Sequence, residues 1–398
     1  MSAQTRRRSL LVGHRGGVGS AVMALLARGP ARFEPLRRRE LLLLDAVEGD
    51  APALGTALPS QQLDSREQLA ALVQTHAIDE LVDVAGLDWC DALAAMAGRS
   101  YLCTSLERWH GPPRIDLLAD ARALVETPPA IAGAHVLGAG MNPGCVNALV
   151  DHAMAELAAR VGMAPTAAAL ALYAVLVTEH DETRAEPDPA HDDADGCAAT
   201  WSPRSCAEEL GVPRTQWIDR GAVRWADHAP WQAEYRARCG DELIAGYVVP
   251  HDELVTLGAR LPGVELAYVY RPAAATRRWL ARGARPGRAG RLWPPHVAGT
   301  VGRDRVGVLL CSRRFGELWC GFETDCADAA AWGTNATLLQ VAAGVLAGWL
   351  QLDEIEGVRT VEALDTVRYV DDVAAVLGAV RCVHDPSAAP APLPSRRA

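Results

Sequence analysis

The stretch from Ser9 to Arg28 constrains the fold more than any other part of the chain. A short apolar strand, Ser9-Leu10-Leu11-Val12, runs into the loop Gly13-His14-Arg15-Gly16-Gly17-Val18-Gly19. A helical pattern follows, with apolar positions at Val18, Val22, Leu25 and Leu26. The glycines at 13, 16 and 19 read as G-x-x-G-x-x-G. A turn that tight needs residues without a Cβ, and a helix that starts there points unpaired backbone N–H groups at whatever lies in front of it. An anion such as a pyrophosphate suits that position.

The pattern repeats. Leu41–Leu44 is an all-apolar second strand, as expected where both faces are covered. A helix at 65–75, a strand at 81–85, a helix at 88–98 and a strand at 101–104 follow. Strand, helix, strand, helix predicts a parallel sheet with right-handed crossovers, a Rossmann-type domain over residues 1–145. Asp45 ends the second strand, and a carboxylate there can bind the ribose hydroxyls of an adenosine while repelling a 2′-phosphate. The expected cofactor is therefore NAD, held by Gly13, Arg15, Gly16, Gly17, Val18, Gly19, Asp45 and Ala85, the last at the end of the third strand.

From about residue 165 the strands crowd together: Ala168–Val177, Leu243–Val249, Val264–Tyr270 and Val306–Cys311. That predicts an α+β catalytic domain with a largely antiparallel sheet over 146–350. Glu179–Gly196 reads as a polar loop, and so does Arg282–Arg291. A helix at 335–350 starts at Asn335, a good capping residue. Residues 351–385 read as C-terminal helices returning to the first domain, and 386–398, rich in Pro, Ala and Ser, as a disordered tail.

Composition excludes several functions. The net charge is −10, so no basic surface for nucleic acid is offered. All 39 basic residues are Arg, which removes any lysine Schiff base or P-loop lysine. The ten Cys form no CxxC pair, which speaks against a zinc ribbon. Free thiols in a reducing cytoplasm are expected. His180, Asp181, His191, Asp192 and Asp193 have no defensible zinc spacing, and no metal is expected. The uncharged stretches at 161–178 and 332–352 are interrupted by polar residues and read as core, not as membrane spans.

Four further stretches carry a family likeness: Met141-Asn142-Pro143-Gly144-Cys145-Val146-Asn147; Thr178–Thr183 with Thr200-Trp201-Ser202 and Glu208–Gly211; Val249-Pro250-His251-Asp252-Glu253 with Ala267–Pro272; and Asn335–Gly348. In this order the chain, over about residues 9–380, resembles bacterial homospermidine synthase, a branch of the saccharopine dehydrogenase-like enzymes. The resemblance implies a homodimer with bound NAD acting on a small-molecule amine. A diamine such as putrescine is oxidised to an imine, a second amine displaces ammonia, and re-reduction gives a secondary amine.

By motif position, the resemblance implies Asn142, Glu179 and His251 as catalytic residues and Glu107, Trp201 and Glu209 as substrate-binding ones. Asn142 matches the Asn of N-P-G, Glu179 the acid of E-R-D-T-Q, and His251 the His of T-H-x-E. Glu107 matches E-P-W, Trp201 the Trp of N-T-W-S, and Glu209 an acid eight residues on. These types suit a dication: carboxylates for its ends, an aromatic face for a buried ammonium. Two alternatives stay open. A saccharopine dehydrogenase-like enzyme with carboxylate substrates would use Arg271, Arg277 and Arg278, and a non-catalytic NAD-binding protein would need neither set.

Overall fold

The parallel sheet expected near the N-terminus is present, with seven strands. The computed structural model describes residues 6–106, 108, 116–185, 196, 197, 200–281, 291, 292 and 299–398. The chain divides into two units, one built from 1–112, 126–145 and 339–376, the other from 113–125, 146–338 and 377–398.

In the first unit the spatial strand order is Gly357–Thr360, Gly133–Leu137, Arg99–Cys103, Glu80–Asp83, Arg8–Val12, Glu40–Leu44, Thr56–Ala57. Every neighbouring pair is parallel. Leu10, Leu11, Leu43, Leu81 and Val82 are fully buried, as apolar strands covered on both faces must be. Glu80 is buried among them and is satisfied: Ser9 and Arg39 bond its carboxylate, and Trp349 Nε1 donates to it at 2.7 Å.

The boundaries differ from those expected. Residues 339–376 belong to this unit because Gly357–Thr360 adds a parallel strand beside Ala134–Leu137. The helix Ala336–Gln351 comes so close to the turn after Gly133–Leu137 that a Cβ on Gly344 would lie 2.0 Å from the Gly140 carbonyl oxygen. Tyr369 Oη donates to the Gly344 carbonyl at 2.8 Å. Among the described residues, one stretch, Ala336–Glu354, is long and apolar enough to cross a membrane, but 83% of its most apolar part is buried inside the protein.

The second unit holds a nine-stranded sheet. Its main path runs Ala222–Trp225, Gln216–Asp219, Glu265–Arg271, Leu172–Asp181, Arg303–Ser312, Gly316–Asp325, Arg381–Asp385, and the hairpin Glu234–Cys239/Glu242–Val249 joins through Glu265–Arg271. Only the Glu265–Arg271/Leu172–Asp181 pair is parallel; the other pairs are antiparallel. Trp319 is fully buried at its core, with Nε1 donating to Thr178 Oγ1 at 2.9 Å.

Four expectations are corrected here. The strand runs on to Asp181, so Glu179–Asp181 is not loop; it pairs with both neighbouring strands, Glu265–Arg271 and Arg303–Ser312. The region 351–385 is not all helix, since it contributes the strands Gly357–Thr360 and Arg381–Asp385 beside the helix Thr366–Leu377. The tail beyond 386 is ordered: Leu393 is buried in the core, Arg396 forms a buried ion pair with Glu317, and the Ala398 N–H reaches the Glu234 carbonyl at 2.8 Å. Composition did not show that one buried guanidinium could anchor the whole segment. The cysteines are not all free either, for Cys320 and Cys382 face each other on paired strands, Cα–Cα 4.3 Å apart, and form a disulfide.

Candidate functional site

The glycine loop of the first unit has the geometry its sequence calls for. Gly13 sits at φ +85°, and a Cβ there would lie 2.9 Å from the Cβ of Ala85. A Cβ on Gly19 would lie 2.0 Å from the Gly13 carbonyl oxygen. Gly16 is the N-cap of the helix Gly17–Arg28; no side chain caps it, and the first turn, with Gly17, Val18 and Gly19, has no acid. Its N–H groups therefore remain for an anion. Asp45 accepts from the Arg15 N–H at 2.9 Å and the Val47 N–H at 3.1 Å, which ties the end of the second strand to the loop. The Arg15 guanidinium folds over Gly49 to the Asp50 carbonyl at 2.8 Å. His14, inside the loop, is buried, and neither ring nitrogen finds a hydrogen-bond partner among the described residues. Asp83 holds the opposite wall, accepting from the N–H groups of Ala85, Gly86 and Leu87 at 2.8–3.1 Å. Burial raises its carboxyl to about 6 despite those bonds. A glycine cradle, a bare helix N-terminus, an orphaned imidazole and a carboxylate at the second strand's end fit an adenine dinucleotide.

In the second unit, strand register assembles a different surface. Side chains alternate along a strand. Glu179 pairs with Tyr270 on one side and Val306 on the other, and Asp181 pairs with Asp304. Glu179, Asp181, Asp304, Tyr268 and Tyr270 thus share one face, all buried. Tyr268 Oη donates to Glu179 Oε2 at 2.6 Å. Thr200 Oγ1 donates to Asp181 Oδ2, and Thr337 Oγ1 to Asp304 Oδ2, both at 2.7 Å. Burial raises the Asp181 carboxyl. Burial, then the charges of Glu179 and Asp181, push Asp304 well above the ordinary carboxylate range.

His251 lies beside this face, its ring edge-on to Tyr268 with centroids 5.3 Å apart. Nδ1 bonds the buried Glu253 carboxylate, and Nε2 is 3.9 Å from Glu209. Burial by itself would strip the proton, but Glu253 and Glu209 outweigh it and hold the imidazole up at about 10. His251 is therefore an imidazolium at neutral pH, a donor and a charge, not a base.

The remaining expected residues are placed as follows. Trp201 is half-buried between Thr200, which bonds Asp181, and Ser202, whose Oγ caps the helix Pro203–Gly211 that carries Glu209. Asn335 Oδ1 accepts from the Leu338 N–H at 2.8 Å, which is a capping bond, and its Nδ2 donates to the Thr200 carbonyl at 2.7 Å. Asn142 belongs to the first unit, half-buried in the turn after Gly133–Leu137, where the Asn142–Pro143 peptide is cis. Glu107 lies outside the described residues, as do His191, Asp192 and Asp193.

Asp304 and Tyr268 were missed as site residues. For Asp304 the only sequence signal is strand alternation, which means something once the neighbouring strand's register is known; Tyr268 lies within the stretch Ala267–Pro272. The opposite face of the same strands holds His180, Glu182, Glu242 and Arg305. Donor atoms of His180, Glu182 and Glu242 lie within 4.8 Å of one another, but the Arg305 guanidinium already bonds Glu182 at 2.7 Å and Glu242 at 2.9 Å. Arg271 pairs with His180 in register and donates to the Ala245 carbonyl at 3.2 Å, so it stands away from the acidic face.

No protein-family model and no curated protein matches this sequence. The fold is similar to that of a solved homospermidine synthase from Legionella pneumophila in complex with NAD, at a TM-score of 0.80 and 17% identity over 96% of this chain and 92% of that one. UDP-glucose-4-epimerase from Stenotrophomonas maltophila, solved with bound NAD, covers 25% of this chain and 37% of its own, at 20% identity and a TM-score of 0.19. L-threonine dehydrogenase from Clostridium difficile covers 25% of this chain and 36% of its own, at 10% identity and a TM-score of 0.20.

Proposed function

We propose that this chain is an NAD-dependent aminoalkyl transferase of the homospermidine synthase kind, joining two amines with loss of ammonia. The observation that carries the reading is the buried acidic face of Glu179, Asp181 and Asp304. Three carboxylates in a row, far from water, are costly unless protons or a cation compensate them, and an ammonium supplies that charge. The similarity of fold to homospermidine synthase over nearly the whole chain supports it.

NAD, when bound, would take a hydride from the first amine and return it to the joined product, leaving no net oxidation. The glycine loop and Asp45 would hold its pyrophosphate and ribose. An ammonium has no lone pair on nitrogen and must lose a proton before its neighbouring carbon can release hydride. Glu179 is the acceptor we assign, at a carboxylate oxygen. Trp201 would cover the cation, and Glu209 would bind a second ammonium near His251. We propose a homodimer as the working form. A carboxylate substrate fits less well, because Arg271 stands on the other face of the sheet.

The test is mass spectrometry of protein incubated with NAD and putrescine while nicotinamide absorbance is followed. A secondary amine and ammonia without accumulating NADH are expected. Steady NADH formation from an amino acid, with no amine product, would overturn the reading. Glu179→Gln should lower turnover at least roughly a hundredfold while NAD binding persists, as loss of a general base does.

A further inference from the structure

We propose that Tyr268 is the positioning residue of the acidic face, holding Glu179 in the orientation from which it takes a proton from the bound ammonium. This rests on the amine-transfer reading. The tyrosine lies on the strand Glu265–Arg271, its hydroxyl donating to Glu179 Oε2 at 2.6 Å. Its ring is stacked on Tyr270, centroids 5.6 Å apart, and meets the edge of His251 at 5.3 Å. The side chain is 3% exposed, and contacts on two sides restrict its ring. One residue thereby fixes the distance between the carboxylate and the imidazolium.

The chemistry gives the hydroxyl a definite task. A carboxylate has four lone-pair directions, and a short O–H···O⁻ bond takes one and fixes the rotamer. Asp304 on one neighbouring strand, the Tyr270 hydroxyl and the Cys239 thiol also interact with Glu179 electrostatically, and Asp181 lies two residues along its own strand. Glu209 and His251 interact with Tyr268 from its far side. Tyr268 itself is held well above its ordinary value, first by burial and then by Glu179, so it remains the donor. Losing that bond removes a stabiliser of the charged carboxylate and moves its titration upward.

The test is carbon NMR of the whole protein carrying ¹³C-carboxyl glutamate, with the Glu179 resonance assigned through Glu179→Gln. Tyr268→Phe keeps the ring contacts and should raise the Glu179 midpoint by about one pH unit. Incorporating 3-fluorotyrosine at position 268, a stronger donor of nearly equal size, should lower it, and this second variant decides the matter if the first fails to fold. In turnover, Tyr268→Phe should lower kcat by roughly tenfold or more, shift the acidic limb of the pH profile upward, and leave KM for the amine within about twofold. A merely structural tyrosine would lower Tm and leave midpoint and limb in place, which would overturn the proposal. If the wild-type protein transfers no amine, the functional reading fails, while the midpoints still decide whether Tyr268 governs Glu179.

Discussion

Replacing Gly13 with alanine tests the cofactor loop against a number. At φ +85° an alanine pays for the left-handed region, about 1–2 kcal/mol. Its Cβ would also lie 2.9 Å from the Ala85 Cβ and 3.0 Å from the backbone of the same residue. Overpacking of that kind costs about 1–3 kcal/mol, because Asp83 pins the Ala85 backbone and it cannot yield cheaply. Gly98 is the internal control in the same unit, with φ +77° and nothing within 4 Å of a Cβ. Gly98→Ala should show the strain alone, about 1–2 kcal/mol, and Gly13→Ala about 2–5 kcal/mol in total. Gly19→Ala has no unfavourable φ, but its Cβ would meet the Gly13 carbonyl oxygen at 2.0 Å, so the loop must open. Urea unfolding gives the stabilities, and NADH fluorescence titration gives the affinities. NADH binding should weaken at least tenfold in both loop variants, about 1.4 kcal/mol, and stay unchanged in Gly98→Ala. Equal destabilisation by Gly13→Ala and Gly98→Ala would refute the close approach to Ala85. Wild-type NADH affinity in Gly19→Ala would refute the loop as the phosphate seat.

Other expectations concern the second unit. Arg396→Ala should cost about 3–5 kcal/mol in urea unfolding, because it leaves the buried Glu317 carboxylate without its cation; a loss under about 1 kcal/mol would mean the pair is surface-like. Trp201→Ala should weaken a bound diammonium by about 1–2 kcal/mol in calorimetry, and an unchanged affinity would remove Trp201 from the site. His251 is held at about 10 in the fold, above its ordinary 6.5. The stability it contributes is fully present below 6.5 and is lost as pH rises through 10. Unfolding free energy should fall across that window, and the slope should flatten in His251→Gln.

The strongest patterns in the sequence were those with local causes. Ser9–Val12 and Leu41–Leu44 are apolar throughout, and the helix after Gly16 has its glycines and its apolar stripe within one short window. Gly133–Leu137 and Gly357–Thr360 carry no such pattern, because their burial comes from pairing with each other across more than 200 residues of chain. Around the acidic face, Glu179 and His251 were singled out by motif position. Asp304 was not, since an Asp between two arginines reads as surface until register sets it opposite Asp181. The tail misled for the opposite reason: its composition is that of a flexible segment, and a single Arg396–Glu317 pair with Leu393 overrides it.

The interleaving of the two units has a consequence for how the protein is made. Synthesis proceeds from the N-terminus, and contiguous domains can fold as they emerge. Here Gly133–Leu137 waits on the ribosome as an unpaired edge until Gly357–Thr360 has been translated. Gly316–Asp325 waits in the same way for Arg381–Asp385. The first sheet therefore spends more than half of elongation with this edge open and the second a shorter stretch, and an open edge is the kind of surface that recruits other strands. Slow translation should favour aggregation of nascent chains rather than relieve it, and expression at low temperature with a holdase chaperone should raise the soluble yield more than codon optimisation for pausing.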